Sequence, residues 1–237
     1  MDGIFVLTCA VLLAMLDIAS SGESQAVRDC GGQHVCTTLM RYRDGTTVDE
    51  GDNCICRDGL ACSKTWDETH GDQSLTWQHY ERAHWSVQYR FCTRVFQDKN
   101  ICRPGEMAAI VETDVNKWEP FVSNPRCVCE NDVTFKIMGW KREGQSWKYF
   151  YHCEKDECRD PSQTLNDKSV CAKIYVDTRK YTDKVLEVQF LCNCPDGYLC
   201  PAKFDEKADN SRITSDETGD YVTKECETIK KKKGGSV

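Results

Sequence analysis

Cys54-Ile55-Cys56-Arg57-Asp58-Gly59-Leu60-Ala61-Cys62 and Cys192-Asn193-Cys194-Pro195-Asp196-Gly197-Tyr198-Leu199-Cys200 are two versions of one pattern, Cys-x-Cys-x-Asp-Gly-x-x-Cys. A third Cys-x-Cys, Cys127-Val128-Cys129, is followed by Glu130-Asn131-Asp132 and has no closing cysteine at that spacing. Self-similarity of this kind marks a repeat. Read outward, the first unit runs Cys30-x5-Cys36-x17-Cys54-x-Cys56-x5-Cys62-x29-Cys92. The last runs Cys158-x12-Cys171-x20-Cys192-x-Cys194-x5-Cys200-x25-Cys226, and the middle one is shorter, Cys102-x24-Cys127-x-Cys129-x23-Cys153. The expected units span residues 28–95, 98–154 and 156–228, and they account for every cysteine except Cys9.

Cys9 lies in Ile4–Leu16, an apolar run too short to span a bilayer and suited to the core of a secretory leader. Small residues follow at Ala19, Ser20 and Ser21, so cleavage after Ser21 is expected, with 1–21 as signal peptide. Cleavage takes the 17 cysteines to 16, an even number that can pair completely outside the cell. It also removes Asp2 and Asp17, leaving 36 acidic against 31 basic residues, a net charge of −5. That balance disfavours nucleic acid as a partner. No later stretch is long and apolar enough to cross a bilayer as a helix, so the protein is not expected to be membrane-embedded.

The abbreviated middle unit carries information about pairing. A unit that loses two cysteines loses bonded partners, because a lone thiol in an oxidising compartment is reactive. The fifth position is plainly missing. The gap between Cys102 and Cys127 is 24 residues, close to the 23 between Cys30 and Cys54 and unlike the 17 between Cys36 and Cys54, so the second position is the other loss. Positions two and five are therefore expected to bond, as Cys36–Cys62 and Cys171–Cys200. Positions three and four are one residue apart on a strand, with side chains on opposite faces, and do not bond each other. One–three with four–six is our expectation: Cys30–Cys54, Cys56–Cys92, Cys102–Cys127, Cys129–Cys153, Cys158–Cys192 and Cys194–Cys226. One–four with three–six stays open.

The expected fold is small, disulfide-rich and mainly β, with short hairpins and few or no long helices. Asp44-Gly45 and Asp58-Gly59 offer hairpin turns. Val87, Tyr89 and Phe91 alternate before Cys92, as Trp147, Tyr149 and Tyr151 do before Cys153, and this period of two reads as strand. Val133–Trp140 is a strand that turns at 141–145, and Val185–Cys192 another. Ser63–His84 reads as a polar surface insertion holding one short helix from about Leu75 to Ala83. A helical turn is expected at the start of Pro104–Val115, a mobile loop at Lys203–Asp220, and a basic disordered tail at 229–237 with Lys230–Lys233. Short linkers predict that the units pack together as one elongated body.

The chain shows no His-Glu-x-x-His, nucleophile elbow, phosphate loop or dinucleotide fingerprint. His79 and His84, five apart with Glu81 between them, do not share a helical face. The expectation is a non-enzyme without cofactor or metal that acts as a monomer on an extracellular protein target. Trp66, Trp77 and Trp85 are the candidate contacts, because aromatic anchors dominate interface energetics.

Two resemblances follow from these residues. The string Cys36-x17-Cys54-x-Cys56-x5-Cys62 with its later aromatic-x-Cys resembles half of the cysteine-rich modules of the colipase, prokineticin and dickkopf families. That resemblance implies Cys36–Cys62 and Cys56–Cys92. It lacks the adjacent cysteine pair of prokineticin-type ligands. Over nearly the full length, the leader, 16 cysteines and repeated Cys-x-Cys-x5-Cys resemble the eleventh scoloptoxin family of centipede venoms. This implies a secreted venom component with no assigned target, and our first reading is a toxin that binds an ion channel, a receptor or a haemostatic factor. An endogenous prokineticin-like ligand and a secreted enzyme or inhibitor are the competing readings.

Overall fold

The computed structural model describes residues 28–69, 71–79, 85–130, 133–153, 157–158, 170–180, 184–195 and 197–229. The leader 1–21 and the run Lys230–Lys233 lie outside the described residues. The chain is mainly β and rich in disulfides, with one short helix among the described residues.

Strands β1 (Val35–Arg41), β2 (Thr47–Asp52), β3 (Ser74–Gln78) and β4 (Ser86–Phe91) form a sheet in the order β2-β1-β4-β3. Strands β5 (Met107–Asp114), β6 (Phe121–Pro125), β7 (Lys136–Glu143) and β8 (Ser146–His152) repeat that order as β6-β5-β8-β7. Next come β9 (Val170–Val176), β10 (Val185–Phe190), β11 (Tyr198–Leu199), β12 (Thr214–Ser215), β13 (Asp220–Glu225) and β14 (Glu227–Thr228). Here β10-β9-β13-β12 gives the same second-first-fourth-third order, while β11 and β14 pair separately. The last two groups are one eight-stranded sheet, joined where β7 runs antiparallel to β10. The second and third groups are thus continuous through backbone pairing, whereas the first keeps its own sheet.

A second recurrence lies at the cysteines. The residue before each unit's first cysteine bridges the residue inside Cys-x-Cys: Asp29 with Ile55, Ile101 with Val128, Glu157 with Asn193. The disulfides are Cys30–Cys54, Cys36–Cys62, Cys56–Cys92, Cys102–Cys127, Cys129–Cys153, Cys158–Cys192, Cys171–Cys200 and Cys194–Cys226. In each first strand the register slips at one residue, which is Cys36, Ala108 or Cys171. Ala108 thus stands in the middle group where the outer groups have a cysteine. Phe135, at the Cys129-x5 spacing, stands where they have Cys62 and Cys200. Phe135 is buried, packs on Phe96 at 5.7 Å between centroids, and donates its amide to the Thr76 carbonyl at 2.8 Å. Where the outer groups have a covalent tie, the middle one has an apolar plug that docks onto β3.

Turn chemistry follows the sequence. Tyr42 accepts the Gly45 amide and donates to Thr46, with Gly45 at φ 85°, the glycine-after-turn form of hairpin. Asp58 and Gly59 both take positive φ, 57° and 73°, as a two-residue mirror-image turn requires. The β7–β8 hairpin turns at Gly144-Gln145, so β7 runs on to Glu143 instead of turning from Lys141, and it begins at Lys136, later than Val133. Cross-strand Lys141–Lys148–Glu143 contacts favour this extension: Glu143 meets Lys148 at 2.6 Å and also pairs with Lys141.

Three other expectations are corrected. Leu75–Ala83 is not helical where described: β3 alternates, with Leu75 and Trp77 on the apolar core face and Ser74 and Thr76 on the other. The insertion is therefore part of the sheet. Pro104-Gly105 makes a turn and β5 starts at Met107, because Met107–Val111 is taken up by pairing with β8. The segment 203–220 is ordered: helix α1 (Glu206–Asp209) is N-capped by Asp205, and buried Asp209 pairs with Lys224 at 2.6 Å.

The polar face of the first sheet is closed by Asp67. Its carboxylate accepts from the Thr69 and Gly71 amides, the Thr69 and Ser74 hydroxyls and Arg90 Nη1, while Gln88 brackets its backbone. Burial pushes this carboxyl up, but the bonds from Thr69, Arg90 and Gly71 outweigh that and hold it well below the usual carboxylate range. A depressed carboxylate contributes stability above its unfolded value of about 4 and loses it as pH falls from there. The wild type is thus expected to lose more melting temperature between neutral pH and strong acid than Asp67→Asn, which should be less stable at pH 7 by about 2 kcal/mol. Parallel melting curves over that range check both.

Candidate contact surface

Of the three predicted contacts, Trp77 is corrected: it is 7% exposed, with Tyr151 at 5.9 Å, His79 at 5.7 Å and Tyr89 at 6.1 Å between centroids. Its place in the β3 alternation puts it in the core. Trp66 and Trp85 are half-buried at the far end of β1. The Arg41 guanidinium sits 5.2 Å from the Trp66 ring centre and pairs with Glu68 at 2.7 Å, and Trp85 meets Tyr42 edge-on at 4.7 Å. The structure therefore brings Trp66 and Trp85 to one end of the first sheet and turns Trp77 into the core, where it stacks on the His79 ring that Trp85 also meets, at 6.3 Å.

A larger aromatic surface lies on the eight-stranded sheet. Alternation puts Trp140 and Arg142 of β7 on the same face as Trp147, Tyr149 and Tyr151 of β8, with Trp140 opposite Tyr149 and Arg142 opposite Trp147. Tyr151 is buried, whereas Trp147, Tyr149, Trp140 and Arg142 are half-buried. Trp140 packs on Phe190 at 5.5 Å and on Tyr149 at 6.2 Å. The connection from β5 to β6 then folds Trp118 edge-on over Tyr149, at 6.2 Å. Thr113 shapes that loop, since its hydroxyl donates to the Lys117 carbonyl and accepts the Glu119 amide, both at 3.0 Å. Trp118 remains 51% exposed, the most exposed aromatic residue among those described. Burial pushes the Tyr149 hydroxyl up, so it stays protonated at neutral pH.

The opposite face of the sheet is different in kind. Glu143 is shared by Lys141 and Lys148, whose hydrogen bonds pull its carboxyl down to about 2. Lys173 lies over the Tyr221 ring at 4.4 Å and meets Asp216, which also accepts from the Tyr175 hydroxyl. Its charges are thus paired within the face. Groups with metal-ligand spacing among the described residues are cysteine triads such as Cys30, Cys56 and Cys92, and each member is disulfide-bonded. His84 and Glu81 lie outside the described residues. Among the described residues no helix is long and apolar enough to cross a membrane.

Trp118 was not singled out by the sequence. A lone tryptophan between Lys117 and Glu119 gives no periodic signal, and its partner Tyr149 is brought to it only by the β5–β8 pairing.

No protein-family model matches the chain. The crystal structure of unliganded Argos aligns over 86% of this chain and 92% of that one, at 18% identity and a TM-score of 0.41, below the level of a shared fold. Over 159 residues the chain is 24% identical to U-scoloptoxin(11)-Sm7a of the centipede Scolopendra morsitans, and the match spans 66% of this chain and 64% of that protein's length.

Proposed function

We propose that this chain is a secreted, non-catalytic protein of the venom-toxin kind that binds an extracellular protein target as a monomer, after removal of residues 1–21. In this reading it consists of three copies of one four-strand module, at 28–95, 98–154 and 156–228. The similarity to U-scoloptoxin(11)-Sm7a and the closure of every cysteine of these modules into disulfides support it. The observation that carries it is the strip of Trp118, Tyr149, Trp140, Trp147 and Arg142. Tryptophan, tyrosine and arginine are the residues that dominate binding energetics, and Trp118 rests half-exposed on a rigid sheet. Trp66 and Trp85 form a second, smaller contact, already partly covered by Arg41 and Tyr42. The target class is a channel, a receptor or a haemostatic factor.

The test starts with the oxidised protein labelled and screened against extracellular domains and channels, alongside a hydrolase and protease panel. For any binder found, Trp118→Ala is expected to weaken binding by about 30-fold, the scale of a hot-spot residue, with its melting temperature unchanged. Unchanged affinity for Trp118→Ala removes the strip from the reading, and substrate turnover in the panel removes the non-catalytic reading.

A further inference from the structure

In the second and third four-strand groups, the outer edge of the second strand is covered by backbone from the group before it. The edge of β10 receives β7, with Glu187 opposite Lys141, Val188 opposite Trp140 and Gln189 opposite Gly139. The edge of β6 receives residues 33–35: Val35 donates to the Pro120 carbonyl and Val122 to that of Gln33, both at 2.9 Å, and His34 bridges Phe121. The equivalent strand of the first group is β2. It pairs only with β1, it has no sheet neighbour on its other side among the described residues, and all six of its residues are exposed.

We propose that the outer edge of β2 is a docking edge for an extended, basic segment of a partner protein, which adds to the first sheet as β7 adds to β10. Tyr42 donates to the Thr46 carbonyl at 2.9 Å, and antiparallel alternation from there points the amide and carbonyl of Val48 at β1 and those of Thr47 and Asp49 outward. Two residues of a partner strand can therefore pair there before Gly51 ends the run: its amide bonds Asp49 Oδ1 and its carbonyl accepts from Thr37 Oγ1. Main-chain bonds of this kind give affinity while side chains give selection. Asp44, Asp49, Glu50 and Asp52 line the strand and its turn against Arg43 and Lys64, and Lys64 is already engaged by Asp49 and Asp52. The surplus is negative, so it selects lysine- or arginine-rich segments and opposes pairing of β2 with a second copy of itself. The proposal rests on the recurring strand order and is independent of the Trp118 surface.

The test uses the full oxidised protein and a fluorescein-labelled peptide of alternating lysine and threonine. Anisotropy is expected to show salt-sensitive binding that falls at least about tenfold when alternate peptide amides are N-methylated, a change that keeps charge and removes edge bonding. Thr47→Pro, which deletes one outward amide without touching the β1 ladder, is expected to lose a similar factor, and a glutamate-for-lysine peptide is expected not to bind. Three results each overturn the proposal: no binding of the basic peptide, equal binding of its N-methylated form to the wild type, or concentration-dependent dimerisation that Thr47→Pro abolishes. The peptide arm uses unmodified protein, so a folding defect in Thr47→Pro leaves the outcome readable.

Discussion

Gly139→Ala is expected to lower the stability of the protein by on the order of 3–5 kcal/mol, or to prevent its folding, because overpacking costs about 1–3 kcal/mol and a strained backbone about as much again. Gly139 sits in β7 directly opposite Gln189 of β10, where the two halves of the eight-stranded sheet meet. A Cβ there would lie 2.1 Å from the Val188 carbonyl oxygen and 3.2 Å from the Gln189 Cα, all backbone atoms of a central strand. Its φ of 150° is also one that side chains rarely adopt. A side chain can rotate away from such a clash, but a ladder carbonyl cannot move without breaking its own pairing. The register of β7 slips between Ile137 and Gly139, so the glycine allows the close approach that lets β7 serve β8 on one side and β10 on the other. Thermal melting followed by circular dichroism checks this, with a fall of roughly 10 °C expected for a chain of this size. A loss below a few degrees would show that the seam tolerates separation.

Phe135→Ala is expected to be nearly as damaging, by about 3–5 kcal/mol, the usual range for deleting a buried phenylalanine. The ring is 6% exposed and lies against Phe96, which in turn meets Phe91 edge-on at 6.3 Å. It is thus part of a continuous apolar path from β4 through the connection after Cys92 to the start of β7. Denaturant titration of the oxidised protein measures the loss. Phe135→Leu, which keeps most of the volume, is expected to recover over half of it. Equal losses for both variants would point to the ring contact with Phe96 in place of burial.

How far the sequence disclosed this structure depends on the kind of signal. Cysteine spacing is a discrete record, and the absence of the second and fifth cysteines from the middle group was visible in it. That Ala108 and Phe135 occupy those places was not, because neither residue announces what it replaces. Alternation in Trp147-Lys148-Tyr149-Phe150-Tyr151 was enough to show a strand. Leu75-Thr76-Trp77 carried the same alternation, but it was hidden in a polar stretch whose polarity belongs to the Asp67 layer, since Ser74, Thr76 and Gln88 are buried polar partners. The joining of β7 to β10 had no local signature, because a half-buried strand such as Val185–Phe190 reads alike whether its neighbour is near or far in sequence. The trace it did leave was Gly139 inside an otherwise bulky strand, where an interior glycine marks close backbone approach. The aromatic strip on the large sheet had no local signature for a related reason: Trp118, Trp140, Trp147 and Tyr149 come from three separate segments that only the strand pairing brings together.

No disulfide crosses from one four-strand group to another: the bonds close within 30–92, 102–153 and 158–226. The connection from Thr93 to Ile101 is therefore the single covalent link between the first group and the rest. It carries exposed Arg94 and Lys99, while Val95 and Phe96 are buried between them. A trypsin-like protease that cuts after Lys99 would leave a nicked molecule that stays together in water through the Phe96–Phe135 and Gln33–Val122 contacts and comes apart in detergent without any reductant. Wherever a protease reaches this connection, the tight cross-linking inside each group guards the pieces but not the assembly.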